Sequence, residues 1–237
     1  MRLEILETMN AARRERRAGA LATRLADGAQ RFVAAEAVAA DPLAASIEAA
    51  LRSGRSVVVE HAGESWFLTV IVPPMRLAMI GAVHISQALA PIAKIAGLDV
   101  AIIDPRAAFA TPDRFPDVPV IAQWPDEALA ASPLDRYTAI CLLTHDPKID
   151  DPALVRALKA DCFYIGALGS RKTHAGRLER MRAAGFDEAA LARIHAPIGL
   201  DIGAVSPAEI AVAIMGEIIA AMRKKPLRAQ VGGGAAS

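Results

Sequence analysis

One stretch, residues 77–106, constrains the fold of this chain more than any other. It opens with an apolar run, Leu77–Ile80, that ends at Gly81, and a second apolar run, Val100–Ile103, ends at Asp104. Between the runs, apolar residues recur at the spacing of one helix face: Ile85, Leu89, Ile92 and Ala96. The order strand, tight turn, helix, strand predicts the opening unit of a dinucleotide-binding fold, in which an acidic residue roughly 20 positions after the glycines holds a ribose hydroxyl.

The glycine fingerprint of such folds is incomplete here. G-x-G-x-x-G would place glycine at positions 81, 83 and 86, and the chain has Gly81, Val83 and Ser86. The second glycine lets the backbone approach a pyrophosphate closely, and Val83 puts a branched side chain in that space. We therefore expect a ligand that does not lay a pyrophosphate across this turn.

Composition and charge narrow the class of protein. The chain is 54% hydrophobic, which is enough to bury a sizeable core, and its net charge of +1 gives no electrostatic reason to expect a nucleic-acid partner. Apolar runs fall short of the ~20 residues that span a bilayer, and the N-terminal segment does not resemble a signal peptide. We expect a cytoplasmic protein without a membrane partner, in which Cys141 and Cys162 are core residues of strands rather than parts of a disulfide framework or metal site.

The first 74 residues predict a small α+β domain. The predicted elements are a helix over 3–17, a hairpin of 20–25 and 30–34, a helix from Asp41-Pro42 to Gly54, and a hairpin of 56–60 and 66–72. Pro73-Pro74 then breaks the pattern. We expect three segments: an N-terminal domain over 1–74, a second domain over 75–225 and a disordered tail over 226–237.

From Arg76 onward the pattern alternates between strand and helix. Further strands are predicted over 118–122, 138–143, 162–166 and, at a sheet edge, 194–198; helices are predicted over 125–131, 151–160 and 172–184, from Asp187, and behind the capping box Ser206–Glu209. This alternation predicts an α/β fold, a Rossmann-like parallel sheet with helices on both faces.

Polar and glycine residues follow the end of strand after strand, which predicts a ligand cleft at the carboxyl edge of the sheet. The candidate binding residues are Gly81, His84, Asp104, Arg106, Thr144, His145, Asp146, Gly166, Gly169, Ser170, Arg171, Lys172, Thr173, Asp201 and Gly203. Asp146 is placed to hold a tautomer of His145. His61 and His195 are interpreted as ordinary satisfied histidines. The chain has no recognisable set of catalytic residues, so we predict no catalytic site and no metal site.

The loop 166–174 is the best candidate for a phosphate site. Gly166 and Gly169 permit close backbone approach and positive φ, and Ser170 is placed to cap the helix that follows. Arg171 and Lys172 lie beside the free N–H groups of that helix. The alternative is a glycine-rich turn with solvated charges.

Several separate strings resemble the XdhC/CoxI family. They are Y-I-G-A-L-G-S-R-K-T-H-A-G-R-L-E-R-M-R-A-A-G-F at 164–186, R-I-H-A-P-I-G-L-D-I-G-A at 193–204, S-P-A-E-I-A-V-A-I-M-G-E-I-I-A at 206–220, L-T-H-D at 143–146, I-D-P-R at 103–106 and V-P-P at 72–74. They agree in order over roughly residues 66–222, which a lone glycine motif does not achieve.

The resemblance implies a function. The family comprises maturation factors for molybdenum hydroxylases such as xanthine dehydrogenase, which bind molybdenum cofactor, assist its sulfuration with a cysteine desulfurase, and help insert it into the apoenzyme. It implies a cytoplasmic homodimer with a Rossmann-like domain that acts as a chaperone more than as a catalyst. The cofactor would be molybdopterin or its dinucleotide form.

This chain departs from the family pattern at two places. Where the family's first turn resembles G-A-G-H, the chain has Val83, and no Ser-Gly-Gly-Cys loop occurs between Met1 and Pro74. The resemblance is therefore to a short form. Two other functions stay open: an NAD(P)-dependent oxidoreductase, for which Asp104 favours NAD, and a cofactor-free adaptor for a molybdoenzyme or a cysteine desulfurase.

Overall fold

A computed structural model describes residues 2–224 and divides them into two compact units. The first unit runs to Pro74 and the second covers Met75–Lys224, and each is described by itself. The tail predicted over 226–237 lies outside the described residues. Within the described part of the chain, every helix is too short or too polar to cross a membrane.

The first unit is a four-stranded antiparallel sheet with strand order β2-β1-β4-β3 and two helices. Its elements are α1 (Leu3–Arg14), β1 (Gly19–Arg24), β2 (Gln30–Ala34), α2 (Ala44–Ser53), β3 (Val57–His61) and β4 (Glu64–Ile71). Both predicted hairpins are confirmed, with Gly28 and Gly63 at positive φ in their turns. The predicted start of α2 at Asp41-Pro42 is wrong, because the Asp41 carboxylate accepts the Leu43 N–H and pairs with Arg31 ahead of the helix.

The second unit is a six-stranded, fully parallel sheet with strand order β10-β9-β8-β5-β6-β7. Its strands are β5 (Arg76–Ile80), β6 (Asp99–Ile103), β7 (Val120–Ile121), β8 (Thr138–Leu142), β9 (Tyr164–Ala167) and β10 (Ile194–His195). Its helices are α3 (His84–Ile95), α4 (Pro125–Ala131), α5 (Pro147–Lys159), α6 (Arg171–Ala183), α7 (Glu188–Leu191) and α8 (Pro207–Lys224). This order is that of a Rossmann fold, and the predicted fold class is confirmed.

Both faces of this sheet are covered, which explains its apolar strands. Along β5, Leu77 and Met79 pack with α3 and α8, whereas Ala78 and Ile80 pack with α4, α5 and α6. Strand order reverses between β5 and β8, so the crevice expected to take a ligand lies beyond the carboxyl ends of these two strands.

Three local predictions for this unit are wrong. α5 begins at Pro147 rather than at Asp151-Pro152, because Asp146 caps it and Pro152 is accommodated inside the helix. Cys162 precedes β9 instead of belonging to it. The predicted face of α3 is wrong at Ala96, which is exposed, whereas Leu89 is buried and Ile85 and Ile92 pack, partly buried, against the core.

Candidate functional site

Gly81 and Thr144 face each other where the strand order reverses. Gly81 follows β5 with φ of 113°, and a Cβ atom added there would lie 2.7 Å from Thr144 Cγ2. Both the backbone conformation and the contact therefore require glycine. The two sequence-predicted groups that follow β5 and β8 are brought together at this point.

Asp104 is fully buried at the end of β6 and its carboxylate is saturated with donors. Oδ2 accepts hydrogen bonds from Ala82 N (2.8 Å) and Arg106 Nη2 (2.7 Å), and Oδ1 accepts from Arg106 N and Nε, both at 2.9 Å. Burial alone would raise the pKa of Asp104, but these hydrogen bonds and the Arg106 charge outweigh it, so the pKa is lowered. The side chain predicted to hold a ribose thus fixes the first turn instead.

The two residues that break the glycine fingerprint have structural partners. Ser86 is buried and its hydroxyl donates to Gly81 O at 2.5 Å. Val83 precedes α3 and packs, half-buried, against the core beside α3 and α8. His84 is the first residue of α3 and is exposed.

The segment after β8 combines an unusual backbone with a helix cap. His145 is exposed and has φ of 64°, a left-handed conformation that is uncommon for a residue with a side chain. Asp146 Oδ1 accepts Lys148 N at 2.9 Å and caps α5. The carboxylate predicted to orient His145 therefore serves the helix.

The loop after β9 leads into the N-terminus of α6, which is suited to bind an anion. Gly169 has φ of 135°, and Ser170 Oγ accepts Thr173 N at 3.2 Å, as the predicted cap should. Arg171 and Lys172 are exposed in the first turn of α6. Gly166 differs from the prediction, because it lies inside β9, where a Cβ atom would meet Ile198 and the Tyr164 hydroxyl within 2.7 Å; it serves packing.

Asp201 and Gly203 lie after β10, at the edge of the sheet, and both are exposed. β10 is two strands, roughly 10 Å, from β8. The polar network at this edge belongs to Glu217, whose carboxylate accepts from Tyr164 Oη (2.6 Å) and Gly199 N (2.7 Å) and contacts His195 Nδ1 (3.0 Å). His195, interpreted as ordinary from the sequence, is therefore fixed by a carboxylate.

A buried polar cluster behind Thr144 is absent from the sequence predictions. Asp150 of α5 and Arg177 of α6 are 1% and 2% exposed. Asp150 Oδ1 accepts the Thr144 hydroxyl at 2.7 Å, and Arg177 Nη2 donates to Leu168 O at 2.9 Å. Burial raises the pKa of Asp150 and lowers that of Arg177.

Helical spacing is the signal that could have found this cluster. Asp150 is three and four positions from Ala153 and Leu154, and Arg177 is four positions from Met181, all of which are buried. Charged residues on the apolar stripe of a helix are rarely buried unless they are paired or used.

Neither cysteine of the chain presents a reactive thiol. Cys141 and Cys162 are free and buried, and burial raises the pKa of Cys141 and raises that of Cys162 to about 12. A protonated, buried thiol is a poor metal ligand. Among residues 2–224, no group of three His, Cys, Asp or Glu side chains is arranged to hold a metal ion.

Three curated proteins are similar in sequence to much of this chain. The chain is 30% identical over 177 residues to the uncharacterized protein YqeB of Escherichia coli K12, covering 74% of this chain and 33% of that protein. It is 32% identical over 146 residues to the molybdenum cofactor insertion chaperone PaoD of the same organism, covering 62% and 40%. It is 31% identical over 154 residues to a probable xanthine dehydrogenase subunit from Bacillus subtilis 168, covering 65% and 44%. The chain thus spans less than half the length of these curated relatives.

A solved structure shares the fold. The crystal structure of a xanthine dehydrogenase from Bacillus halodurans superposes with a TM-score of 0.63 at 19% identity, covering 97% of this chain and 65% of that one. The sequence model of the XdhC Rossmann domain matches residues 77–218, which contain the crevice and every candidate residue described above. The chain therefore belongs to the XdhC family.

Proposed function

We propose that this chain is an accessory protein of molybdenum cofactor maturation, which binds the cofactor and assists its insertion into a molybdenum hydroxylase. The observation that carries the proposal is that, in an XdhC Rossmann domain, the Gly81–Thr144 contact and the capped α6 start follow the carboxyl ends of neighbouring strands of one parallel sheet. The name of the relative PaoD, a molybdenum cofactor insertion chaperone, supports the same role.

The α6 start suits the phosphate of the cofactor. Its first N–H groups carry the positive end of the helix dipole, and Ser170 and Thr173 add hydroxyl groups to it. Arg171 and Lys172 supply charge. The pterin would then extend toward the crevice, within reach of Thr144 and His145.

A nicotinamide function is less well supported by the geometry. In a dinucleotide-binding fold the acidic residue after the second strand accepts a ribose hydroxyl. Here both oxygens of Asp104 already accept two hydrogen bonds each. Titration of the protein with NADH, followed by the fluorescence of NADH, tests this alternative directly.

The partners are part of the proposal. A cofactor-insertion role requires an apoenzyme of the molybdenum hydroxylase class, and sulfuration requires a cysteine desulfurase to supply sulfur. Because both cysteines are buried, the sulfur chemistry would take place on the partner. We propose a cytoplasmic homodimer as the working assembly.

Co-elution tests cofactor binding. Protein incubated anaerobically with released molybdenum cofactor should elute from size exclusion with bound pterin, detected by fluorescence after oxidation. Arg171→Ala should weaken binding about tenfold by removing one charge from the phosphate site. The matched control is Arg182→Ala, at the other end of α6, where the side chain pairs with Glu188.

Two outcomes would count against the proposal. If no pterin co-elutes with the wild-type protein, the carrier function is wrong and the adaptor function is the better supported one, which capture of a molybdoenzyme or desulfurase without cofactor would establish. If pterin co-elutes but Arg171→Ala binds as well as Arg182→Ala, the phosphate lies elsewhere.

A further inference from the structure

The cluster of buried Asp150 and Arg177 with half-buried His174 holds most of the buried side-chain polar atoms that lack a hydrogen-bond partner in the described chain. Within residues 2–224, five buried side-chain nitrogen or oxygen atoms have no hydrogen-bond partner, and four of them belong to this cluster. They are Asp150 Oδ2, His174 Nδ1, and Arg177 Nε and Nη1. Buried polar groups are nearly always paired in stable folds, so such a concentration calls for a functional explanation.

Asp150 and Arg177 do not satisfy each other. Each stabilises the charged form of the other, yet Asp150 Oδ2 and Arg177 Nε and Nη1 all lack a hydrogen-bond partner among the described residues. One carboxylate oxygen and two guanidinium nitrogens are therefore left without a hydrogen-bond partner. Leaving buried charged groups without a direct partner is destabilising.

The cluster lies directly behind the two segments that form the candidate site. Thr144, whose methyl group packs against Gly81, donates its hydroxyl to Asp150. Arg177 donates to Leu168 O, just ahead of the α6 start. Beneath a ligand that contacts Thr144 and this loop therefore lie the atoms of Asp150 and Arg177 that lack a hydrogen-bond partner.

An acceptor beside donors selects a complementary ligand edge. A carboxylate oxygen accepts from an amino group or ring N–H, and a guanidinium donates to a ring carbonyl. The 2-amino-4-oxopyrimidine edge carries both functions, with the amino group at C2 and the oxo group at C4 on either side of the ring N3–H, and it occurs in pterins and in guanine. A phosphate does not fit, because Asp150 would repel it.

We propose that Asp150 and Arg177 recognise the 2-amino-4-oxopyrimidine edge of a bound ligand, with Asp150 Oδ2 accepting from the 2-amino group and Arg177 donating to the 4-oxo group. The inference rests on the proposed function, for which this edge belongs to the pterin of the cofactor. Both groups are buried, so we expect Thr144 to turn away from Asp150 when such a ligand enters. His174, which is near enough to Arg177 to feel its charge, adds a further atom without a hydrogen-bond partner, Nδ1.

The wild-type protein tests the inference without any substitution. Pterin and lumazine differ only at position 2, where lumazine carries an oxo group in place of the amino group, and both fluoresce. Pterin should bind about tenfold more tightly than lumazine, or better. Guanosine monophosphate and inosine monophosphate form a second pair that differs by the same amino group, and they identify guanine as the source if they bind and pterin does not.

Asp150→Asn provides the sharper test. The asparagine keeps an oxygen for the Thr144 hydroxyl but replaces Oδ2 with a donor, so pterin should lose at least tenfold in affinity and lumazine should become the preferred ligand. Arg177→Met should weaken both ring ligands together. The matched control is Asp161→Asn, whose side chain is 75% exposed and pairs with Arg136.

The outcomes separate this inference from the proposed function. Three results would overturn recognition of the 2-amino-4-oxopyrimidine edge, even if molybdenum cofactor co-elutes with the protein. They are equal binding of pterin and lumazine, no binding of either pair of ring ligands, and an unchanged ligand preference in the Asp150→Asn variant. Failure of the cofactor to co-elute, with Asp150-dependent discrimination intact, would instead remove the maturation role and leave a pterin- or guanine-binding protein.

Discussion

At the scale of single residues, the Asp104–Arg106 pair decides the shape of the first turn. Asp104 is fully buried, whereas the side chain of Arg106 is 35% exposed. Arg106 brings two guanidinium nitrogens to the carboxylate, and its other face packs 4.6 Å from the Phe109 ring centre. The carboxylate that the sequence pattern predicts to bind a ribose is therefore fully hydrogen-bonded within the protein and has a structural role.

Arg106→Met tests this structural role of the Asp104–Arg106 pair. Removing the guanidinium leaves a buried carboxylate with only backbone donors, which should lower the free energy of unfolding by roughly 1–3 kcal/mol at neutral pH. Because the pKa of Asp104 is lowered in the folded state, its contribution is present above the unfolded pKa and is lost as pH falls through the folded pKa. Urea denaturation at pH 7 and in acid should therefore show the wild-type advantage shrinking as pH falls.

The exposed Arg136–Asp161 pair supplies the control for this experiment. Arg136→Met should change the free energy of unfolding by less than about 0.5 kcal/mol, since both partners are solvated. Equal losses in Arg106→Met and Arg136→Met would show that Asp104 does not depend on its guanidinium.

Asp150 should behave in the opposite sense. Burial raises its pKa in the folded state, so the stability linked to its proton is present below the unfolded pKa and is lost as pH rises through the folded pKa. Asp150→Asn removes that dependence and should raise the free energy of unfolding at neutral pH by about 1–2 kcal/mol. Thermal or urea denaturation across the acid range checks it, and a less stable variant would mean that the carboxylate is satisfied.

At the scale of elements, the crevice depends on how closely β5 and β8 end together. Gly81→Ala would place a methyl group 2.7 Å from Thr144 at φ of 113°. We expect a loss of roughly 2 kcal/mol or more in the free energy of unfolding, together with loss of ligand binding, since strain and clash fall on the same residue. Urea denaturation and pterin titration measure the two effects.

A second glycine offers the matched comparison. Gly176 lies inside α6, and the nearest atom to an added Cβ is the end of Arg180 at 3.7 Å. Gly176→Ala should therefore stabilise the protein by about 0.5–1 kcal/mol, as is usual for a helix interior. If Gly176→Ala lowered the free energy of unfolding and Gly81→Ala left it unchanged, the space and backbone conformation described for these two glycines would be wrong.

The sequence predicts those elements whose signals are local. The capping box of α8 forms as expected, with Ser206 and Glu209 each accepting from the other's backbone N–H. The start of α5 is harder to place because Asp146-Pro147 and Asp151-Pro152 carry the same signal, and only packing chooses between them.

Side-chain roles at the site depend on tertiary neighbours and are harder to predict. A lone aspartate on a helix is usually solvated, and only the approach of α5 and α6 behind β8 buries Asp150 near Arg177. Likewise, nothing in the segment I-D-P-R indicates that Arg106 folds back onto Asp104 and closes it to a ligand. Strand ends can be predicted from pattern, but the partners of their polar residues cannot.

At the scale of the whole molecule, each unit has its own core. One apolar cluster, centred on Ile47 and Leu68, lies entirely in the first unit, and the two clusters on the faces of the parallel sheet lie entirely in the second. All the candidate ligand contacts, and the residues matched to the XdhC Rossmann domain, belong to the second unit. We therefore propose that Pro73-Pro74 separates two domains and that the second carries ligand recognition.

Residues 75–224, produced alone, test this division. A 150-residue span with helices on both faces of its sheet is an ordinary size for an independent domain. It should unfold in one cooperative transition and keep the pterin-over-lumazine preference of the full chain within about threefold, because Thr144, Asp150 and Arg177 all lie inside it. Near-ultraviolet circular dichroism and fluorescence titration measure the two properties. If the fragment folds cooperatively but loses the preference, residues 1–74 contribute directly to the site; if it does not fold, the boundary at Pro73-Pro74 does not separate domains.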